Sequence, residues 1–291
     1  MWNQGESAGV ARALEELLPD LGASLQEVAR EAALRAARLQ AGDAGVLAPY
    51  AAPLPGEVAV HDARALGQAV VVALPCTAPA LALLTRLVRA APDAVHVLRT
   101  PLTERFAGAV TGSGGPPRLA TPAEMVKIVR GGWAATSPPL LVTFPDHQMA
   151  ATGTAWGVRF FGQVHAFATL EPILLARGAR GLFGIGAGPA VVQADPSVVG
   201  GGMQALLEWL ALRMEEALRA APAEALSWEW IQRRALRALR EREALRRTLV
   251  ADLIRAWHSA HPTAPRELVA AALGSLRALP ELPAALAGGL R

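Results

Sequence analysis

Residues 65–84 read ALGQAVVVALPCTAPALALL and are the longest candidate for a membrane-spanning segment in the 291-residue chain. Pro75 and Pro79 interrupt this apolar run, and its valines are confined to the first half. Valine-rich runs of four to eight residues favour buried strands, whereas a membrane helix needs about 20 uninterrupted apolar residues. The stretch therefore predicts a buried strand followed by a helix.

Further short apolar runs of the same kind follow at residues 94–98, 140–144 and 181–186. Helical patterns lie between the runs, at residues 79–90 and 121–132. The second pattern has a threonine N-cap, a proline at the first helical position, a glutamate at the third and a glycine stop. Strands that alternate with helices predict an α/β fold with a largely parallel central sheet flanked by helices.

Both ends of the chain have helical patterns. Residues 8–41 predict two amphipathic helices, broken near Pro19 and Gly22. Helical sequence resumes after a glycine-rich loop at residues 191–203. We expect a single domain over residues 1–291, with N-terminal helices at 1–55, an α/β core at 56–210 and C-terminal helices at 211–291.

Composition excludes some classes of function. The 28 basic and 25 acidic residues give a net charge of only +3, so we expect no nucleic-acid partner. One cysteine, Cys76, allows neither a disulfide nor a zinc framework, and we expect no metal and no cofactor. The N-terminus lacks the pattern of a signal peptide. These features predict a cytoplasmic protein, soluble or peripheral on the inner membrane.

Polar residues are grouped where the run at 140–144 ends, in the sequence Pro145-Asp146-His147-Gln148. Parallel sheets place ligand sites at the carboxyl ends of their strands. His147 could act there as a general base, with an adjacent carboxylate holding its tautomer. The alternative is a strand-to-loop exit in which Asp146 caps a turn and His147 is solvated.

The sequence around this group resembles the bacterial late lipid A biosynthesis acyltransferases, a branch of the lysophospholipid acyltransferase superfamily. The similar segments, in order, are residues 99–106, 123–132, Pro145-Asp146-His147, Phe160-Phe161-Gly162, Thr169, residues 175–179 and Trp230-x-x-Arg233-Arg234. They span residues 60–235. The resemblance implies an acyltransferase-like α/β fold. It also implies transfer of an acyl group from acyl carrier protein or acyl-CoA to a hydroxyl or amine on a lipid or carrier-tethered acceptor.

One departure from that family concerns the catalytic base. Members have His-x4-Asp or His-x4-Glu at the end of the first core strand, but here Pro75 or Cys76 takes the place of the histidine, and Ala80 or Leu81 that of the carboxylate. Loss of a positioned general base removes a factor of about 10² to 10⁴ in rate. The family's usual mechanism therefore does not carry over unchanged.

Two hypotheses follow for the chemistry. In the first, an enzyme with a non-standard site uses His147 as a relocated base beside Asp146, or Cys76 as a nucleophile activated by His147. Gln148 would lie at the cleft rim, Trp156 would form a wall of the acyl groove, His165 would be a second polar group, and Arg159 and Arg177 would hold anionic groups. In the second, an inactive member binds an acyl chain, a carrier protein or a partner enzyme. For Cys76 the alternative to a nucleophile is a small buried side chain.

Arginines at positions 233–247 alternate with leucines and predict a basic amphipathic helix. Such a helix could lie on an anionic membrane surface. The alternative is a solvated helix whose arginine stems cover its own apolar face.

Overall fold

The structure, a computed structural model, describes residues 4–50, 60, 62, 64–110, 116–131, 138–148, 155–184, 191–192 and 202–233. These residues belong to a unit bounded by Met1 and Ala235. The helices are α1 Gln4–Leu17, α2 Leu25–Gln40, α3 Ala78–Ala90, α4 Pro101–Phe106, α5 Pro122–Arg130, α6 Leu170–Ala176 and α7 Gly202–Ala220. Short 3-10 helices lie at Pro19–Ser24, Ala44–Tyr50, Pro145–His147 and Pro222–Glu224. Residues 228–233 are again helical.

The strands are β1 Val70–Ala73, β2 Val95–Leu98, β3 Arg118–Ala120, β4 Leu140–Thr143, β5 Ala155–Phe160, β6 Gln163–Ala168, β7 Arg180–Gly184 and β8 Val191–Val192. The central sheet has the order β3-β2-β4-β1-β7-β8. Its first five strands are parallel, and β8 is antiparallel to β7. The predicted α/β fold with a largely parallel sheet is confirmed.

The valine run of β1 lies at the centre of this sheet. Val70 is in register with Leu140 of β4 on one side and with Arg180 of β7 on the other. Every residue of β1 and β4 is buried, as expected for parallel strands that are covered on both faces. Val70 and Val72 contribute to the apolar cluster that includes α3, whereas Val71 contributes to the one that includes α5 and α6.

Threonines cap the three helices that follow β1, β2 and β3. Thr77 accepts a hydrogen bond from the Ala80 N–H, and Thr100 and Thr121 each form a capping box. A proline occupies the first turn of each of these helices, where its missing N–H costs nothing. The predicted cap of α5, with Thr121 and Glu124, is confirmed, and so is its end at Gly131.

A two-stranded antiparallel hairpin, β5 with β6, follows the polar loop after β4 and was not predicted. The Phe-Phe-Gly sequence forms its turn, in which Phe161 has φ +50° and Gly162 φ +73°. Two successive positive φ angles are typical of the tight turns that suit the twist of a hairpin. The Phe161 N–H donates to Glu215 Oε2 at 2.6 Å, and the Arg219 guanidinium lies over the Phe161 ring.

The two predicted N-terminal helices are present as α1 and α2, and their break at Pro19–Ser24 contains Gly22 with φ +52°. Their apolar faces join those of α7 and the hairpin in a second core cluster. The arginine-rich segment after Arg233 lies outside the described residues, as do residues 149–154 and 193–201. The single-domain assignment stays a prediction.

Candidate functional site

Two loops leave the sheet side by side because β1 and β4 are adjacent and parallel. The loop after β1 carries Cys76, and the loop after β4 is the 3-10 helix Pro145–His147. Asp146 Oδ2 accepts a hydrogen bond from the Cys76 N–H at 2.9 Å. Asp146 is fully buried, so its carboxylate ties the two loops together beneath the surface.

A third segment, residues 225–228, covers the carboxyl end of β1. Ala225 forms an antiparallel bridge with Thr77, and the Leu226 N–H donates to the Cys76 carbonyl at 2.9 Å. The Ser227 hydroxyl donates to Asp146 Oδ2 at 3.1 Å. The place that the resemblance assigns to a catalytic base is therefore enclosed by hydrogen-bonded backbone.

Cys76 has none of the features of a reactive cysteine. Its side chain is completely buried, and burial raises the pKa of the thiol well above its ordinary value. The Asp146 carboxylate raises this pKa further, whereas a hydrogen bond with Ser227 opposes the change. Nucleophilic cysteines have a lowered pKa in exposed, electropositive surroundings. These observations favour the alternative of a small buried side chain.

His147 faces a different environment from its neighbour Asp146. Its ring stacks on Trp230, with centroids 4.4 Å apart and planes inclined by 18°. His147 lines a cleft of about 170 Å³, called here the His147 cleft, together with Arg105 and Arg233. Arg233 also forms an ion pair with Glu229 at 3.2 Å. The lining of this cleft thus includes one imidazole, two guanidinium groups and the Glu229 carboxylate.

Gln148 lies on a second and larger cleft of about 560 Å³, called here the Gln148 cleft. Its amide Nε2 donates to Oε1 of Glu171, which is fully buried. Three of the residues that line this cleft are cations, Arg99, Lys127 and Arg130. Three are neutral and polar, Thr100, Gln148 and Thr169. The other eight are apolar: Leu98, Pro101, Pro122, Ala123, Val126, Ala168, Leu170 and Ile173. Pro101 lines both clefts. Successive residues of one loop therefore contribute to neighbouring clefts.

The remaining predicted site residues line neither of these two clefts. His165 is buried on β6, with its ring edge-on to Phe160 at 5.3 Å. Trp156 is partly buried on β5 against the second core cluster. Arg159 is exposed on β5, and Arg177 is exposed where α6 ends. The roles assigned to these four residues stay predictions.

Sequence reasoning missed Ser227 and the three cations of the Gln148 cleft. Ser227 lies 81 residues from Asp146, and no motif indicates that the two meet. A signal for the cations was available, because Arg99 follows β2 directly and Lys127 and Arg130 are spaced three apart on α5. Residues three apart lie on one face of a helix.

Within the described ranges, no group of three or more His, Cys, Asp or Glu side chains has a metal-binding arrangement. No helix in those same ranges is long and apolar enough to cross a membrane.

No protein-family model matches this chain, and a search of curated proteins finds no match. The resemblance to the lipid A acyltransferases is therefore carried by the short sequence segments alone.

Proposed function

We propose that this protein has a lysophospholipid acyltransferase-like fold and binds an acyl group without the family's own proton-transfer chemistry. The observation that carries the proposal is the Gln148 cleft. Its volume of about 560 Å³ falls in the range of ligand pockets, roughly 300–1,000 Å³, and most of its lining is apolar. It also lies beside the carboxyl ends of β2 and β4, the usual place for a ligand in an open parallel sheet.

The enclosed end of β1 supports binding over catalysis. The backbone of Cys76 and the hydroxyl of Ser227 both bond to Asp146, and residues 225–228 cover this place. An acceptor hydroxyl that reached a base there would first have to displace this segment. A protein that carries or presents an acyl group needs the cleft but no base. The acyl group would arrive as a thioester of acyl carrier protein or of coenzyme A.

The test combines binding with turnover. Dodecanoyl-coenzyme A is titrated into the protein in a calorimeter, and thioester hydrolysis and transfer are followed in parallel. We expect saturable binding with no consumption beyond the blank. Ala123→Trp, which fills the Gln148 cleft from an exposed position, should abolish binding, whereas the matched control Ala90→Trp on α3 should bind normally. Equal binding by both variants would contradict the proposal.

A second candidate function is acyl transfer from a thioester to a lipid or carrier-tethered acceptor, with His147 as a relocated base. The observation that favours it is that His147 lines its own cleft with Arg105 and Arg233. A general base must reach the proton that it abstracts, and His147, although only 4% exposed, lines the cleft that a substrate would enter. Asp146, next in sequence, would act by fixing the loop that carries the base.

Intact-protein mass spectrometry and thioester consumption separate the routes. The assay uses a panel of acyl thioesters on carrier protein and on coenzyme A, with wild type, Cys76→Ala and His147→Ala. If His147 is the base, consumption occurs without an adduct and falls about 10²- to 10⁴-fold in His147→Ala. An adduct that disappears in Cys76→Ala would instead establish an acyl-enzyme at that cysteine.

A further inference from the structure

We infer that the His147 cleft is a separate site for a small organic carboxylate, whose carboxylate group pairs with Arg105. The inference concerns a second ligand and does not rest on acyl binding in the Gln148 cleft. It is carried by the size of the His147 cleft, by the balance of charge in its lining and by the depth at which its polar groups lie.

The His147 cleft is small. Its volume of about 170 Å³ lies below the roughly 300–1,000 Å³ that is usual for pockets of drug-sized ligands. One helix accounts for much of this space, because α2 contributes only short side chains at four lining positions: Ala32, Ala33, Ala36 and Ala37. We therefore expect a ligand of the size of a small metabolite, and not a lipid.

The charges that line this cleft do not cancel. Arg233 forms an ion pair with Glu229 at 3.2 Å, so these two charges balance each other. Arg105 forms neither an ion pair nor a side-chain hydrogen bond with any residue that the structure describes. Two guanidinium groups and one carboxylate thus leave the lining with a net positive charge at Arg105. A ligand with a single negative charge would neutralise it.

Polar groups lie at two depths in the cleft. Arg105 is exposed and lies at the mouth, whereas His147, Ser227 and Trp228 are at most 4% exposed and form the floor. A matching ligand has a charged end at the mouth and an uncharged body that points inward. Because the charged end keeps part of its hydration, its desolvation penalty is small.

The chemistry of the lining favours a carboxylate on a compact apolar body. A guanidinium group presents a planar fork that can donate to both oxygens of a carboxylate. Besides the alanines of α2, the lining includes Val10, Pro101 and Leu102, which suit an apolar body. The ring stack of His147 and Trp230 closes one side of the same cleft.

An exposed arginine can also cover apolar surface with its stem and bind no ligand. The deciding experiment therefore compares ligands that share a body and differ in charge. Benzoate with benzyl alcohol and hexanoate with hexan-1-ol are titrated by calorimetry. We expect at least one carboxylate to bind about tenfold or more tightly than its alcohol, and this preference to shrink as salt is added. The tighter carboxylate shows whether the body is aromatic or aliphatic.

Two substitutions with opposite expected effects locate the charge. Arg105→Gln should lower the affinity for the carboxylate to that for the alcohol. Glu229→Gln should raise the affinity severalfold, because it frees the guanidinium of Arg233 for the ligand. The control is Arg89→Gln, an exposed arginine on α3 that lines neither cleft, and it should keep the full preference. Equal binding of carboxylate and alcohol by wild type, or a full preference in Arg105→Gln, would overturn the inference.

A pair of substitutions on α2 tests the position of the ligand. Ala36→Trp fills the cleft and should abolish carboxylate binding, whereas Leu34→Trp, at an exposed position that lines neither cleft, should bind normally. Undiminished binding by Ala36→Trp would contradict the site. Dodecanoyl-coenzyme A distinguishes this inference from the proposed function. If wild type binds the thioester but no carboxylate, only the inference fails; if it binds a carboxylate but not the thioester, only the proposed function fails.

Discussion

The His147 cleft and the Gln148 cleft begin at successive residues of one loop, yet they differ in size and in surroundings. The first is about 170 Å³, with an aromatic stack and two arginines; the second is about 560 Å³ and is mostly apolar, with a cationic rim. Asp146 lies between the two loops and reaches neither cleft. The three polar residues that are adjacent in sequence therefore have three different sets of neighbours.

Asp146 has the structural contacts of this cluster. Asp146 is bonded to a backbone N–H and to a hydroxyl, both from segments distant in sequence. A buried carboxylate in this position stabilises the junction of three loops. His147 and Gln148, the next two residues of this loop, line different clefts.

The largest expected effect concerns Cys76 and tests whether the junction is closed. We expect a maleimide to modify Cys76 in the native protein roughly 10³-fold or more slowly than in concentrated urea. Reaction requires an opening of the core that costs a large part of the ~5–15 kcal/mol of global stability. Ala90→Cys adds an exposed thiol on α3 as a control for reagent activity. If native Cys76 reacts as fast as the thiol introduced by Ala90→Cys, the junction is open. The hypothesis that Cys76 is a nucleophile would then be supported again.

The second prediction measures the strength of the junction itself. Asp146→Ala leaves the Cys76 N–H and the Ser227 hydroxyl without their acceptor, and we expect a loss of about 3 kcal/mol in the free energy of unfolding. Ser227→Ala removes only one of these bonds and should cost about 1 kcal/mol. Urea denaturation measures both. A cost for Asp146→Ala no larger than that for Ser227→Ala would contradict the structural role of the carboxylate.

The third prediction separates the two clefts by truncating each of two adjacent side chains in turn. Gln148→Ala removes a donor to the buried Glu171 carboxylate, so we expect a loss of about 2 kcal/mol in stability and weaker binding of dodecanoyl-coenzyme A. His147→Ala removes a ring stack worth about 1 kcal/mol, and we expect a smaller change in binding. Denaturation and calorimetry give the two readouts. Weaker binding in His147→Ala than in Gln148→Ala would move the acyl site to the His147 cleft.

Much of the central fold could be predicted because the signals are local. The valines of β1 and the cap of α5 each indicate their structure within a few residues. The β5–β6 hairpin was missed because its turn is Phe161-Gly162 and not one of the common turn pairs such as Asn-Gly.

The candidate site was harder to predict because it depends on distant contacts. Cys76 lies near Asp146 because β1 and β4 are adjacent and parallel. A largely parallel sheet was predicted, so this proximity could be expected. The return of residues 225–228 over that place has no such local signal, since bridge pairing between Thr77 and Ala225 joins positions far apart in the chain. The sequence suggested that Cys76, Asp146 and His147 act together in catalysis. Hydrogen bonds and burial decide which of these side chains can contact a ligand.

The smallest expected effect is a pH dependence that arises away from both clefts. His96 is half-buried on β2, and burial lowers the pKa of its imidazole below 6.5, with a further contribution from Arg118. The unfolded chain takes up a proton near pH 6.5, whereas the folded chain takes it up only at lower pH. The contribution to stability is therefore complete above about pH 6.5 and is lost as the pH falls below it through the folded pKa. As the pH falls below about 6.5, the urea midpoint of wild type should therefore fall more steeply than that of His96→Gln. An identical acid dependence in the two proteins would contradict this prediction.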